Sequence, residues 1–187
     1  MLKKIRVDSV LTLCCAFICG TLLIAGCGPA QVQTQRLIPE NINVAKSQAG
    51  SVQIKVTGGH TGHAMQMPEI SDEMFVKALE TAVAQSKLFQ EVAKGNTGDY
   101  QISANIFNLS APFWGRAPVS LEIAWQLFRK KDATLLWREA IVTSDEGFGD
   151  SGDKSYSKVG AIESAARKNI SLALERMSAL DIALPLK

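Results

Sequence analysis

The chain has 187 residues, of which 47% are hydrophobic, 20% charged and 6% aromatic, with 20 Lys plus Arg against 18 Asp plus Glu. That usage is ordinary for a folded domain and argues against a disordered chain, a collagen-like repeat or a coiled-coil rod. At this length a single domain buries roughly 70% of the surface its unfolded chain exposes, and there is little room for a second.

The first 27 residues read MLKKIRVDSVLTLCCAFICGTLLIAGC. They combine a basic start, an apolar run from Val10 to Ile24 and small residues before a cysteine. Such a run is short for a bilayer span and has the layout of a secretory signal. The segment Ile24-Ala25-Gly26-Cys27 resembles the bacterial lipobox, in which an aliphatic residue and two small ones precede a cysteine that is lipidated and becomes the new N-terminus. The resemblance implies lipid on the Cys27 sulfur, cleavage after Gly26 and a further acyl chain on the freed amine. The other readings are an uncleaved hydrophobic N-terminus and ordinary signal cleavage.

Two consequences follow for the remaining chain. Lys3, Lys4, Arg6 and Asp8 leave with the signal, so 20 basic and 18 acidic residues become 17 of each. A neutral chain lacks the electrostatic footprint for a phosphate backbone, and no nucleic-acid partner is expected. Cys14, Cys15 and Cys19 leave as well, so Cys27 is the sole cysteine retained and no structural disulfide is available. Several acyl chains, at about 0.8 kcal/mol per buried methylene, make membrane residence nearly permanent. Many Gram-negative lipoproteins with aspartate after the lipidated cysteine stay at the inner membrane, so Gly28 points by resemblance to the outer one, facing the periplasm.

The organisation read from sequence is a signal peptide over 1–26, a lipidated cysteine and tether over 27–50, and a periplasmic domain over 51–187. The tether is rich in Gln, Asn and small residues, with Pro29 and Pro39 interrupting any helix. As a flexible coil of some twenty residues it spans roughly 25 Å. Leu37, Ile38, Ile42 and Val44 give its second half an alternative place on the domain surface.

The domain opens with Val52, Ile54 and Val56 alternating with Gln53 and Lys55, a half-buried strand ended by Gly58 and Gly59. Ser71 then caps a helix with Asp72 and Glu73 in its first turn, where the dipole favours negative charge. Phe75, Leu79, Ala82 and Val83 carry its apolar face to about Phe89, with a short strand over Gln90–Ala93 behind it. Three longer strands are expected next. The first points Tyr100, Ile102, Ala104 and Ile106 one way, and the second shares Val119, Leu121, Ile123, Trp125 and Leu127 on one face. The third, Thr134 to Ser144, presents Leu135, Trp137 and Ile141, with Lys130, Lys131 and Asp132 as the hairpin turn before it. After a Gly, Ser and Asp loop, Val159, Ile162, Ala166, Ile170, Ala173, Met177 and Leu180 mark a last amphipathic helix. The expected fold class is α+β, a two-layer sandwich of a mainly antiparallel sheet of four or five strands with two helices.

This layout resembles small envelope lipoproteins that assist transport machines. They are the auxiliary lipoproteins of ABC-type lipid transporters and, more distantly, the lipoprotein partner of the lipopolysaccharide translocon. The likeness runs from SDEMFVKALETAVAQSKLFQEV through GDYQISANIFNLSAPFWG and VSLEIAWQLFRKKDATLLWREAIVTS to AIESAARKNISLALERMSAL. It is one of element order and hydrophobic pattern, and it implies a compartment and an envelope protein partner.

Candidate chemistry is sparse. GGHTGHAMQM holds both histidines of the chain, His60 and His63, beside Met65 and Met67, and imidazole with thioether suits copper. The competing reading, which we favour, is a surface loop with a methionine tucked into the core. Asp145, Glu146, Asp150 and Asp153 gather in DEGFGDSGD, but their spacing departs from the EF-hand plan and fits a solvated loop. The chain carries no phosphate-cradling glycine motif and no GxSxG elbow. No catalytic residues and no cofactor beyond the lipid on Cys27 are therefore expected. In APFWGRAP, Phe113, Trp114 and Arg116 combine the residue types that anchor protein interfaces, while Trp114 folded back over the sheet is an equal reading. The expected function is a non-enzymatic accessory or binding subunit of an envelope transport or assembly complex. The alternatives are a lipid or metal carrier and, third, a hydrolase.

Overall fold

A computed structural model describes residues 31–59, 69–111, 118–147 and 156–182. The described strands are β1 (Gln48–Thr57), β2 (Phe89–Val92), β3 (Tyr100–Ser110), β4 (Val119–Arg129) and β5 (Thr134–Asp145). They form one sheet in the order β2-β1-β3-β4-β5. β1 runs parallel to both its neighbours, and β3, β4 and β5 form an antiparallel meander. Helices α1 (Asp72–Ser86) and α2 (Lys158–Ser178) cover one face, so the architecture is the expected α+β sandwich.

The core is the set of apolar positions that alternation picked out. Val52, Ile54 and Val56 of β1, Ile102 and Ala104 of β3, and Val119 through Leu127 at every second residue of β4 point toward the helices. α1 brings Phe75, Ala78, Leu79, Ala82 and Val83 to them, and α2 brings Ile162, Ala166, Ile170, Ala173 and Met177. Phe75 and Trp125 meet at 6.1 Å between ring centroids. Both helices start on a serine: Ser71 Oγ accepts from the Met74 N–H at 3.2 Å and Ser157 Oγ from the Gly160 N–H at 3.0 Å.

Three local departures from the sequence pattern have physical causes. α1 ends at Ser86 because Lys87 takes a left-handed conformation, φ 54°. Leu88 and Phe89 thereby leave the helix while staying buried, and β2 starts at Phe89. In β5, Trp137 pairs with Leu127 and Leu135 with Phe128, so Leu136 is an extra residue in a bulge. The bulge reverses the alternation, and Leu135, expected on the inner face, is exposed instead while Leu136 packs on the core. A second bulge in β3, between the pairs Ile106–Ile123 and Asn108–Glu122, leaves both Phe107 and Asn108 exposed and returns Leu109 to the core side.

From Gln31 on, the stretch assigned to the tether lies against the domain. A single 3₁₀ turn, Thr34–Leu37, sits against both helices, with Val32, Leu37 and Pro39 buried. β1 begins at Gln48, whose buried side-chain amide donates from Nε2 to the Leu180 carbonyl at 2.8 Å. Among the described residues no helix is long and apolar enough to cross a membrane.

Candidate functional site

Strand direction sorts the connections to two ends of the sheet. Thr57, the last residue of β1, lies beside Asn105; Ser110, the last of β3, lies beside Ser120; and Asp145, the last of β5, lies beside Val119, the first of β4. The flanking residues Gly59, Ala111, Pro118, Gly147 and Tyr156 therefore gather at one end, called here the upper end. The residues singled out by sequence, Cys27, His60, His63, Met65, Met67, Phe113, Trp114 and Arg116, all lie outside the described residues. The described residues that flank the His/Met segment, the aromatic segment and the acidic Gly-rich segment lie at this end.

Polar side chains hold the upper end together. The Gly59 N–H donates to Asp72 Oδ1 at 2.7 Å, tying the end of β1 to the first turn of α1. Asp145 receives Lys168 Nζ and Ser164 Oγ on Oδ2, each at 2.7 Å, and the Gly147 N–H on Oδ1 at 2.8 Å. Burial pushes this carboxyl up, but the hydrogen bonds from Lys168, Ser164 and Gly147 and the Lys168 charge outweigh it, leaving Asp145 below the ordinary aspartate range. Sequence counted Asp145 among the acidic loop residues; it is the terminal residue of β5 and its oxygens are occupied. Asp150 and Asp153 lie outside the described residues. Among those described, no group of three or more His, Cys, Asp or Glu side chains is placed to hold a metal ion.

Below that level a buried polar node joins α2 to the meander. Asn169, fully buried, accepts from Trp125 Nε1 at 2.8 Å and donates from Nδ2 to the Ile141 carbonyl at 2.9 Å and to Thr143 Oγ1 at 3.1 Å. Thr143 Oγ1 donates in turn to the Ala165 carbonyl at 2.8 Å. An indole N–H only donates, so the amide orientation of Asn169 is fixed by Trp125. Sequence reading passed over Asn169, although a signal was present: it stands seven residues after Ile162, inside the apolar stripe of α2.

A second missed residue is Glu163, only 2% exposed. Its Oε1 accepts from the Gln33 N–H at 2.8 Å and its Oε2 lies 3.6 Å from Arg36 Nη1. Its burial depends on the segment around Gln33 that covers it. Among the described residues, the buried polar side chains of Gln48, Thr143, Glu163, Asn169 and Ser178 each have a hydrogen-bond partner and fasten one element to another, while Glu69 Oε2 is a buried oxygen without one.

The lower end is closed by its own contacts. The link from β2 to β3 crosses β1, and Gly98 passes so close that a Cβ there would stand 2.7 Å from the Gln53 nitrogen. Asp99 Oδ2 accepts from the Ser51 N–H and Oγ, both at 2.8 Å, and these bonds lower the Asp99 pKa. Lys130 Nζ, in the β4–β5 turn, donates to Gln53 Oε1 at 2.8 Å and to the Asn96 carbonyl at 2.9 Å.

No family model and no curated protein matches this chain. Its fold is similar to that of solved structures. A protein from Xanthomonas campestris described under DUF330 aligns at TM-score 0.55 and 11% identity, covering 74% of this chain and 90% of that one. A hypothetical protein from Chlamydia trachomatis aligns at TM-score 0.55 and 9% identity, covering 73% and 100%. An uncharacterized lipoprotein B from Nitrosomonas europaea aligns more loosely, at TM-score 0.42 and 16% identity over 73% and 87%, too distant to add to the fold assignment.

Proposed function

We propose that this chain is a lipoprotein anchored through Cys27 to a bacterial membrane and facing the periplasm, where it acts as a non-enzymatic binding or accessory subunit of an envelope transport or assembly complex. The observation that carries the reading is the Ile24-Ala25-Gly26-Cys27 lipobox standing only four residues before a folded body. Among the described residues, the use of the buried side chains of Gln48, Thr143, Glu163, Asn169 and Ser178 as fasteners between elements supports a binding body. Gly28 favours the outer membrane, and Phe113, Trp114 and Arg116 are the proposed partner contacts.

Crosslinking in intact cells, followed by affinity purification from detergent-solubilised membranes, tests this with wild type and Cys27→Ala. A stoichiometric envelope partner lost in Cys27→Ala is the expected result, and an anchored protein with no specific partner refutes the accessory role. The metal-carrier alternative, through His60, His63, Met65 and Met67, requires copper that co-purifies with wild type and is lost in the His60→Ala, His63→Ala double variant.

A further inference from the structure

The reach of the anchor decides how a lipoprotein sits on its membrane, and that reach is set by where the chain joins the folded body. Gln33 meets Glu163 in the first turns of α2, and twelve residues later the Ala45 N–H donates to Ser178 Oγ at 2.9 Å, at the far end of the same helix. α2 itself runs from the Gly147 carbonyl, which accepts from the Ser157 N–H at 2.8 Å, down to the level of Gln48 and Leu180. The chain therefore enters at the upper end, descends beside α2 and turns into β1 at the lower end. Buried Val32 and Leu37 and the Glu163 contacts fix the descending segment along its path.

We propose that the domain stands end-on upon a lipid bilayer, with the upper end, marked by Gly59, Ala111, Pro118, Gly147 and Tyr156, toward the lipid surface and the β4–β5 turn away from it. The inference rests on lipidation at Cys27. Three residues, Gly28 to Ala30, separate Cys27 from Gln31, and even fully extended these four Cα steps reach about 14 Å. The flexible coil expected over 27–50 would let the domain tumble, whereas this link holds its entry point next to the headgroups. The register of β3 with β4 from Ser110–Ser120 to Tyr100–Arg129 puts the lower end about 33 Å further away. Charge at the upper end is mixed, with Asp72, Glu73 and Glu146 standing near Lys158 and Lys168, and does not by itself set this orientation. The short link does.

The experiment uses the full lipidated protein in vesicles of phosphatidylethanolamine and phosphatidylglycerol that carry a headgroup-bound energy acceptor. A donor dye is placed on Glu73→Cys at the upper end or on Lys131→Cys at the lower end. Both positions are exposed, and the lipidated Cys27 sulfur does not react. Energy transfer is expected to be several-fold faster from position 73 than from position 131, and a flexible twelve-residue insertion between Ala30 and Gln31 is expected to erase the difference. Equal transfer from the two positions, in protein that floats with the vesicles, overturns the end-on orientation and leaves the anchor intact. Protein that fails to float overturns the anchor, and the orientation with it.

Discussion

Asn169 is the residue whose removal tests the packing account most directly. In Asn169→Ala the Trp125 indole N–H and the Ile141 carbonyl lose their partners inside a region closed to water. An orphaned buried donor costs about 1–3 kcal/mol, and the volume removed adds a cavity term, so we expect a loss of about 3 kcal/mol. With a urea m-value of about 2 kcal/mol/M, the unfolding midpoint falls by about 1.5 M. Trp125→Phe removes the other half of the bond and leaves Asn169 Oδ1 without its donor. The double variant leaves neither group stranded, so its loss is expected to be smaller than the two single losses together by at least about 1 kcal/mol. Urea titration followed by far-ultraviolet circular dichroism measures all four proteins. A single-variant loss below about 1 kcal/mol, or additivity within about 0.5 kcal/mol, refutes the claim that this pair is a coupled buried hydrogen bond.

Three further outcomes follow from the upper end and the descending segment. Asp145 has a folded pKa below its unfolded value, so its contribution is complete above the ordinary aspartate pKa of about 3.9 and is lost as pH falls through the lower folded value. Wild type therefore loses stability on acidification through that window, and Asp145→Asn flattens this part of the curve in urea titrations run across it; an unchanged slope contradicts the assignment. Leu37→Ala opens a fully buried site between the helices and is expected to cost about 2–4 kcal/mol, against almost nothing if residues 31–47 were a free tether. A chain starting at Ser51 lacks Val32, Leu37 and Gln48 and is expected to unfold at much lower urea than one starting at Gln31.

What sequence revealed and what it concealed divide along the distance between interacting groups. Alternation in Val119–Leu127 and the helical spacing of Phe75, Leu79, Ala82 and Val83 are local signals, and both elements formed with the expected faces inward. Leu135 was misplaced because a one-residue bulge inverts every position beyond it, and nothing in Leu135-Leu136-Trp137 marks which of three apolar residues is the extra one. The parallel pairing of β1 with β2 and β3 also lay beyond reach, since it depends on a link that crosses β1 at Gly98. Of the candidate sites only the flanking residues are described, and that those flanks share one end followed from strand direction, which the sequence did not reveal.

Glu163 shows why sequence left the stretch after Gln31 open between a tether and the domain surface. It follows Ile162 on the flank of the α2 stripe, where an acidic residue ordinarily remains in water. Its covering partners, Gln33 and Arg36, lie about 130 residues away in sequence, in a segment whose Gln-rich composition resembles a linker. Composition measures what a segment could bury alone, and Val32 and Leu37 are too few to form a core. They suffice when two helices already present an apolar cleft, because each then adds its area to an ordered surface at little further cost. The boundary between anchor and domain is consequently a property of that cleft, and the same cleft that buries Leu37 fixes the short reach from which the membrane orientation follows.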